Sequence, residues 1–516
     1  MSHRITRRRG VVAAATATGL ATALLALTSP GAATASTAAT TATSDEPTST
    51  PVPINPPDGQ VWSYVLNARK DNPGQTRLVE RAVAEADGVV VQSWPQIGVV
   101  VAHSDRAAFR EDVQSDAGNA LESVGATRTV AVSEGTPDDV SASWGHGASG
   151  YEKGAEKDYN GDLGSEATTA TTQDPREGEQ WDMQMIKADQ AHQTTDGNRN
   201  VLVGVLDSGI DPDHPDLAAN IDVADSVNCT DAGRPDRSAT GWYPTTSDHG
   251  THVAGTIAAA RNGVGIVGVA PNVRMASVKV VNDAGYIYPE YAVCGFVWAG
   301  LHGMDVTNNS YYVDPFMYYC DDQPDQAAAK EAVRRAVAWS VDRGVVSAAA
   351  AGNAATDLAT NTDDASSPDD ATPVQRAINS GCEDIPTELP GVVTVSSLQR
   401  YPAGTDESRL SSFSNRGLGK IDVAAPGSSI LSTIVTDNGY GLKSGTSMAT
   451  PHVAGVLALM KSVHPDWTPA QMLAKLRAQA DDKACGTTTT GAACVGTPED
   501  NSYFGEGVVD ALDAVS

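Results

Sequence analysis

Residues 201–207 read Val-Leu-Val-Gly-Val-Leu-Asp, an apolar run that ends in a carboxylate. A strand with one face in water alternates apolar and polar residues, so a run without polar positions indicates a strand buried on both faces. Similar runs recur at residues 275–281 and 344–351, and segments with helical spacing alternate with them. This alternation predicts an α/β domain over residues 181–516, with a doubly wound, mostly parallel sheet. The helices are predicted at residues 328–341, 453–463 and 469–480.

A second periodic region, residues 59–133, precedes this domain. Its apolar spacing changes between the periods of strands and helices in the order β-α-β-β-α-β, which predicts a small α+β domain of the ferredoxin-like type. The strands are predicted at residues 62–66, 88–91, 97–101 and 127–132, and the helices at residues 76–86 and 104–113.

Three other segments have compositions that do not favour a packed fold. Residues 1–35 combine several arginines, an apolar stretch and a final Ala-Thr-Ala, the pattern of a cleaved signal peptide. A membrane anchor is the alternative, but the apolar stretch is short and contains Thr and Gly; the arginines leave both the general and the twin-arginine export routes open. Residues 36–58 are a low-complexity segment, and residues 134–180 are predicted to be a flexible acidic linker that holds the maturation site.

The charge balance excludes one class of partner. The chain has 35 Lys and Arg against 64 Asp and Glu, which gives a formal net charge of −29. Binding to a phosphate backbone requires a basic face, so no nucleic-acid partner is expected. No second apolar segment of spanning length follows the signal, so the mature chain is expected to be secreted, extracellular, free of the membrane and, by default, a monomer.

Six cysteines in an exported chain are expected to form disulfides. Their pairing cannot be read from the sequence, except that Cys485 and Cys494 would close a short loop rich in Gly and Thr. A metal site is the alternative, but the chain has no paired C-x-x-C motif.

Three segments carry side chains that could act together in catalysis. Asp207 ends the buried strand, His249 begins His-Gly-Thr-His-Val-Ala-Gly-Thr, and Ser447 lies in Ser-Gly-Thr-Ser-Met-Ala-Thr-Pro-His at a predicted helix start. Singly, each has an ordinary structural interpretation, as a turn residue, one of a histidine pair or a helix cap. Together they supply a hydroxyl, an imidazole to accept its proton and a carboxylate to orient the imidazole. His252, one turn further along, is interpreted as a core histidine.

With these motifs in the order Asp, His and Ser, the chain resembles the subtilisin-like serine proteases from about residue 181 to its end. The resemblance implies that Asp207 orients the imidazole, that His249 is the general base and then acid, and that Ser447 is the nucleophile. It also matches residues 347–353, Ser-Ala-Ala-Ala-Ala-Gly-Asn, to the segment that ends in the family's oxyanion asparagine, here Asn353. The implied activity is that of a serine endopeptidase that cleaves polypeptides and needs no cofactor for catalysis.

The resemblance further implies where a substrate would bind. Residues 285–286 would pair with an extended substrate as an added strand, and residues 350–352 would form a wall of the pocket for the side chain before the cut. On the opposite edge the family commonly has Asn-Met-Ser-Leu-Gly-Gly, whereas residues 308–313 read Asn-Asn-Ser-Tyr-Tyr-Val, so specificity does not transfer simply. The residues expected to contact substrate are Gly285, Tyr286, Ser310, Tyr311, Tyr312, Ala350, Ala351 and Gly352.

Two more features follow from the same resemblance. Asp216 and Asn262 match ligands of the family's strong calcium site, and such oxygen ligands suit calcium; the alternative is that both are loop residues without a metal. The domain at residues 59–133 resembles the family's inhibitor-like propeptide, which assists folding and blocks the cleft until it is removed. The enzyme is therefore expected to be a zymogen, with its own propeptide as an intramolecular inhibitor.

Two other functions remain open. An esterase or a peptide ligase could use the same three residues, because the triad performs acyl transfer in general, although the Gly-x-Ser-x-Gly elbow of α/β-hydrolases is missing. A catalytically inactive binding protein could keep the scaffold, but the loss of a triad member would be its signature.

Overall fold

The computed structural model describes residues 48–132, 173–403, 407–485 and 493–516. The predicted signal at residues 1–35 and most of the acidic linker lie outside the described residues. Within the described part of the chain, no helix combines the length and the apolar character that crossing a bilayer would require.

The N-terminal domain has the predicted β-α-β-β-α-β order. Its four strands form one antiparallel sheet in the order second, third, first, fourth. The other domain's helix Pro324–Asp342 packs against the first and fourth strands, so the sheet is covered by the neighbouring domain. The strands are Trp62–Ala68, Val89–Trp94, Val99–Ser104 and Leu121–Ala126, and the helices are Pro73–Glu85 and Phe109–Ala117.

The prediction of the last strand in this domain was wrong. The fourth strand is Leu121–Ala126, and the segment predicted as a strand, residues 127–132, follows it. Leu121 and Val124 are buried in the core although polar residues stand between them. The later segment instead places Arg128, only 1% exposed, against the second domain.

The second domain is built on a nine-stranded sheet. Seven strands are mutually parallel, and Arg234–Asp236 and Ser408–Leu410 pair antiparallel at its edges. The predicted mostly parallel α/β sheet is therefore confirmed. The parallel strands are Leu202–Asp207, Val227–Asp231, Arg274–Lys279, Val306–Asn309, Val346–Ala350, Val392–Arg400 and Val423–Pro426.

Helices cover both faces of this sheet. Leu202 and Leu206 point to one hydrophobic core, whereas Val203 and Val205 point to the other, as the period of two in a strand requires. The first core contains helices Pro289–Leu301 and Pro324–Asp342, and the second contains His249–Ala258, Thr446–Val463 and Pro469–Ala478. The remaining helices are Trp181–Met185, Ala188–Ala191 and Ala511–Ala514, and a hairpin of Ile430–Ile434 with Gly439–Lys443 lies beside the sheet.

All six cysteines are paired in disulfides, and none is free. The bond between Cys485 and Cys494 confirms the pairing predicted from their spacing. The alternative of a cysteine metal site is therefore wrong. The other two disulfides are Cys229–Cys294 and Cys320–Cys382, and each joins segments more than sixty residues apart.

Two segments that were expected to stay unpacked are in part packed. In the low-complexity segment, Ser49 is 2% exposed, and its backbone N–H donates to the Asp322 carboxylate at 2.7 Å. In the predicted linker, Asp174 and Gln180 are buried, and the Gln180 amide donates to the Val267 carbonyl at 2.8 Å. The packed part of the second domain therefore begins before residue 181.

Candidate active site

The predicted catalytic residues gather at the carboxyl ends of the parallel strands. Strand Leu202–Asp207 pairs with strand Val306–Asn309, and Leu206 lies opposite Asn309 in the register. Asp207 and Ser310, the next residue on each strand, are therefore neighbours at this edge of the sheet. Active sites of open parallel sheets lie at this edge, where the loops after adjacent strands diverge.

His249 begins a helix directly above Asp207. Its Nδ1 lies 2.8 and 3.0 Å from the two Asp207 carboxylate oxygens, and the Ser208 backbone N–H also donates to Oδ1 at 2.7 Å. The next residue must be glycine, because a Cβ on Gly250 would lie 2.5 Å from the Gly209 carbonyl oxygen. The local sequence thus permits the close approach that the pair requires.

The environment of His249 favours its charged form. Burial alone would lower the pKa of the imidazole, but the charge and the hydrogen bond of Asp207 outweigh this and raise the pKa above its ordinary value. The Asp207 carboxylate is almost fully buried, whereas about a third of the His249 side chain is accessible. Because Nδ1 is bonded to Asp207, Nε2 is the ring nitrogen left to exchange a proton with a bound substrate.

Ser447 lies in the first turn of helix Thr446–Val463 and is tied to the sheet edge through Ser310. The Ser447 hydroxyl donates to the Ser310 carbonyl at 3.2 Å, and the Ser310 hydroxyl donates to the Ser447 carbonyl at 3.0 Å. An ion pair of Lys443 with Asp248 at 2.8 Å joins the segments that precede the serine and the histidine. In the described contacts the hydroxyl is bonded to Ser310 and not to His249, and a rotation about one side-chain bond changes its direction.

Asn353 has a fixed orientation beside Ser447. Its Oδ1 accepts hydrogen bonds from the Thr446 backbone N–H at 2.8 Å and from the Thr446 hydroxyl at 3.0 Å. Its Nδ2 therefore points away from Thr446. A Cβ on Gly445 would lie 3.7 Å from this Nδ2 and 3.6 Å from the Ser447 backbone nitrogen, so both donors border the same space. Two such donors can bind an oxygen that acquires negative charge.

Asn353→Ala is expected to lower kcat by about 10²–10³-fold, with little change in KM, because it removes one of the two donors that border the expected oxyanion position; this is the magnitude known for subtilisin. The measurement is steady-state kinetics on a peptide substrate. The exposed Asn200 provides a control, since Asn200→Ala removes an amide far from this site and should leave kcat unchanged. An undiminished kcat in Asn353→Ala would remove this residue from the mechanism.

The predicted wall at residues 350–352 begins at Ala350, the last residue of strand Val346–Ala350. Ala350 and Ala351 are buried, and Gly352 has a φ of +97°, which favours glycine. A Cβ on Gly352 would also lie 2.4 Å from Nδ2 of Asn415, which holds the wall in place by donating to the Ala351 carbonyl. Because the wall precedes Asn353 directly, it lies beside the two donors.

The two other predicted substrate-binding segments are joined by a residue that the sequence did not suggest. The Tyr286 hydroxyl donates to the Asp369 carbonyl at 3.3 Å, and the Tyr312 hydroxyl donates to the Asp369 carboxylate at 2.6 Å. Tyr311 is 9% exposed and donates to Oδ1 of Asn309, so its hydroxyl is satisfied within the protein. The tyrosines that replace a leucine and a glycine therefore anchor this edge. Gly285 has a φ of +96°, with open space where a side chain would be.

The two predicted calcium ligands are neighbours. The Asn262 amide lies 3.4 Å from the Asp216 carboxylate, which also accepts hydrogen bonds from the Tyr440 hydroxyl at 2.9 Å and the Ile266 backbone N–H at 3.1 Å. Asp174, a buried residue from the segment that precedes helix Trp181–Met185, accepts from the Asn262 backbone N–H at 3.2 Å. Burial raises the pKa of Asp216 to about 6. The two buried carboxylates are oxygen donors of the kind that calcium prefers, whereas Asn262 directs its amide nitrogen to Asp216 and its amide oxygen to the Val264 backbone N–H.

Comparisons of the sequence with family models and with known proteins agree on one family. A family model described as the subtilase family matches residues 198–507. Subtilisin E of Bacillus subtilis is 35% identical over 295 residues, which covers 57% of this chain and 64% of that protein. Subtilisin of Bacillus pumilus is also 35% identical over 295 residues, with 57% of this chain and 89% of that protein covered. The match to subtilisin E thus spans less than two thirds of that relative.

Solved structures show the same fold. Fervidolysin of Fervidobacterium pennivorans, a keratinolytic enzyme related to subtilisin, superposes with a TM-score of 0.60 at 24% identity, covering 89% of this chain and 61% of that chain. The epidermin leader peptide processing protease of Staphylococcus aureus superposes with a TM-score of 0.63 at 20% identity, covering 88% and 98%. The family model spans more than half of the chain and includes Asp207, His249, Asn353 and Ser447, so this chain belongs to the subtilase family.

Proposed function

We propose that the chain is the precursor of a secreted serine endopeptidase, in which Ser447 is the nucleophile, His249 the general base and Asp207 the orienting carboxylate. The observation that carries the proposal is the contact of His249 with Asp207 at 2.8 Å, at the sheet edge to which Ser310 ties the Ser447 hydroxyl. The constellation is that of acyl transfer, and family membership makes a peptide bond the expected target.

The proposed reaction has two stages. The Ser447 oxygen attacks the carbonyl carbon of the substrate while its proton passes to Nε2 of His249, and Asp207 stabilises the imidazolium. The Ser447 backbone N–H and the Asn353 amide hold the resulting oxyanion. The C–N bond then breaks as His249 returns the proton to the leaving amine. Water, deprotonated by His249, finally attacks the acyl ester and releases the carboxylic acid and the serine.

The experiment compares two substrates for the purified mature protein. The account predicts efficient cleavage of casein at internal bonds and much slower hydrolysis of a short-chain ester that cannot pair along the cleft. Efficient ester hydrolysis with intact casein would favour an esterase, and no turnover of either would favour an inactive relative.

We also propose that the N-terminal domain is the inhibitory propeptide. Arg128 is buried with the carboxylate of Glu290, its guanidinium lies 3.8 Å from the Tyr288 ring centroid, and Thr129 donates its N–H to Asp370 at 2.9 Å. Asp370 is adjacent to the residue that bridges the two substrate-binding edges. The described part of this domain, which ends at Val132, thus ends beside the proposed cleft. N-terminal sequencing should place the start of the mature enzyme between residues 133 and 180, and an active secreted protein that begins near Ser36 would contradict the proposal.

Removal of the Arg128 side chain is expected to weaken the attachment of this domain strongly. Glu290 is fully buried; burial would raise its pKa, but Arg128 holds the pKa below its ordinary value, so Arg128→Ala leaves an unpaired buried charge. We expect a loss of about 3–5 kcal/mol in the free energy of unfolding of the full chain, measured in denaturant with Ser447→Ala to prevent self-cleavage.

A matched change at an exposed ion pair provides the control. Arg106 pairs with Asp87 at 3.0 Å, and both side chains are largely accessible. Arg106→Ala should therefore cost less than about 1 kcal/mol. Equal losses for the two variants would contradict a central place for Arg128 in the attachment.

Export is proposed on two grounds. The disulfides Cys229–Cys294, Cys320–Cys382 and Cys485–Cys494 are typical of proteins that fold in an oxidising compartment. The predicted signal at residues 1–35 would direct the chain there. Recovery of processed protein from the culture medium, with residues 1–35 absent, is the supporting result. A monomeric state stays a prediction that sedimentation would check.

We further propose that Asp174, Asp216 and Asn262 bind a structural calcium ion. Burial raises the folded-state pKa of Asp216 to about 6, so the ionised carboxylate is less stable there than in water, and a cation beside it would offset that cost. Chelation at pH 8 is expected to lower Tm, and Asp216→Asn should remove most of this sensitivity.

The stability of the calcium-free protein should depend on pH, and the raised pKa of Asp216 gives the direction of the change. The folded pKa of Asp216 lies above the unfolded value, so the calcium-free protein should gain stability as pH falls from 7 through about 6, where the folded state takes up the proton. Bound calcium should suppress this gain because it holds the carboxylate ionised. A Tm that does not respond to chelator at pH 8 would show that no calcium is bound.

A further inference from the structure

A short segment is fixed directly behind the wall of the proposed substrate pocket. Cys382 is bonded to Cys320, and the Val313 backbone N–H donates to the Ile385 carbonyl at 2.9 Å. Between these two attachments lies Asp384, which is 1% exposed. The backbone of Asp384 is therefore fixed by a disulfide two residues before it and by a hydrogen bond to the residue after it.

The Asp384 carboxylate faces the wall at its glycine. Its Oδ2 lies 3.7 Å from the position that a Cβ on Gly352 would occupy, and Gly352 has no side chain to cover it. In the proposed reaction, the residue before the cut would have its carbonyl oxygen between Asn353 and the Ser447 backbone N–H. Its side chain would then extend along residues 350–352 and approach Asp384.

Asp384 also lacks the partner that neighbouring acids have. Its Oδ1 accepts no hydrogen bond from any described residue, and no Lys, Arg or His forms an ion pair with it in that part of the chain. Burial raises the pKa of this carboxyl well above its usual range, with Glu388 and Asp364 adding to the effect. The neighbouring acids are paired: Glu383 with Lys330 at 3.2 Å, Glu388 with Lys420 at 2.6 Å and Asp364 with Arg376 at 2.7 Å.

We propose that Asp384 determines the specificity of this pocket and selects substrates with arginine or lysine immediately before the cleaved bond. This inference rests on the proposed function, since it names the substrate class of the same site. A guanidinium or ammonium group would supply the charge-assisted hydrogen bonds that the carboxylate lacks, whereas an apolar side chain would leave it buried and unpaired.

The test uses the mature enzyme produced from the full chain, with peptides that differ only at the residue before the cut. Arginine is compared with citrulline, its uncharged isostere, and lysine with norleucine; leucine and phenylalanine complete the series. We expect kcat/KM to be about 10²–10³-fold higher for each cationic residue than for its neutral counterpart. An enzyme that cleaves after leucine or phenylalanine as well as after arginine would overturn the inference without any variant.

Two variants assign the preference to Asp384. Asp384→Asn should reduce the arginine-to-citrulline ratio to near one, whereas Glu383→Gln, an equal charge change in the adjacent residue, should leave it unchanged. Fluorophosphonate titration of Ser447 counts competent sites in each preparation, so a folding defect in Asp384→Asn lowers the count and not the ratio. Wild type that takes no label would contradict the proposed function itself, whereas labelled wild type with an apolar preference would contradict only the role of Asp384. A ratio that persists in Asp384→Asn would also overturn that role.

Discussion

Ser447→Ala is expected to lower kcat for peptide hydrolysis by about 10⁶-fold, the magnitude known for loss of the nucleophile in subtilisin. The reason is that no other hydroxyl can form the acyl ester at this position. Ser310, the hydroxyl bonded to Ser447, is buried, and its own proton is donated to the Ser447 carbonyl. The measurement is single-turnover and steady-state hydrolysis of a peptide by the purified mature variant.

Ser444, in the same segment, provides a control that distinguishes loss of the nucleophile from a folding defect. Ser444 is exposed, and its hydroxyl accepts a hydrogen bond from the Ser429 backbone N–H at 2.8 Å. Ser444→Ala should keep kcat within a few-fold of wild type. Because self-cleavage would also stop in Ser447→Ala, its propeptide must be removed by an added protease before the assay. Full activity in the processed Ser447→Ala protein would refute the proposed nucleophile.

Asp207→Asn is expected to lower kcat by about 10⁴-fold while leaving the fold intact. The amide would donate to Nδ1 and stabilise the tautomer of His249 whose Nε2 carries the proton, so the imidazole could not accept a proton from Ser447. The same change removes the charge that raises the pKa of His249. The acid limb of the residual pH profile should therefore move to lower pH, because protonation of His249 would then occur only at lower pH.

Asp211 gives the matched control for this change. It lies in the loop after the same strand, is 7% exposed and accepts a hydrogen bond from the Asp213 backbone N–H at 3.0 Å, but it does not contact His249 in the described structure. Asp211→Asn should keep the acid limb of the pH profile in place. Equal loss of kcat in both variants would mean that the effect of Asp207→Asn is structural and not electrostatic.

The sheet could be predicted because burial on both faces removes polar positions from a strand. The runs at residues 201–207, 275–281 and 344–351 correspond to Leu202–Asp207, Arg274–Lys279 and Val346–Ala350, with ends that differ by at most two residues. The order of the strands across the sheet could not be predicted in this way, since it depends on contacts between distant segments.

The sequence predictions were wrong for segments whose burial depends on a few specific polar contacts. Ser49 and Gln180 lie in segments whose composition is typical of exposed chain, and each is buried through specific hydrogen bonds to a distant partner. Arg128 lies in a segment that was predicted as a strand, but the segment is not one, and Arg128 is buried with Glu290 and Tyr288 around its guanidinium. Amino-acid composition does not show which distant residue a polar side chain will bond to, so the burial of such residues cannot be predicted from it.

The same distinction applies to the site. Asp207, His249 and Ser447 were predicted because each lies in a local motif at a strand end or helix start. Asp369 and Asp384, the acid proposed for the pocket, were not predicted, because they lie in a long segment between strands whose position depends on tertiary contacts and a disulfide. Asp384 lies two residues after Cys382, and this was the one feature of the sequence that could have indicated its position. It does so only once Cys320 is known to be the partner of Cys382.

The most direct test of the account is covalent labelling of the mature protein by a fluorophosphonate, followed by peptide mapping. The account predicts one label per chain, on the Ser447 oxygen, and about the same loss of labelling rate in His249→Ala as of hydrolysis rate, because the imidazole activates this hydroxyl. Folded, processed protein that takes no label at Ser447, or takes it at another residue, would contradict the proposed chemistry.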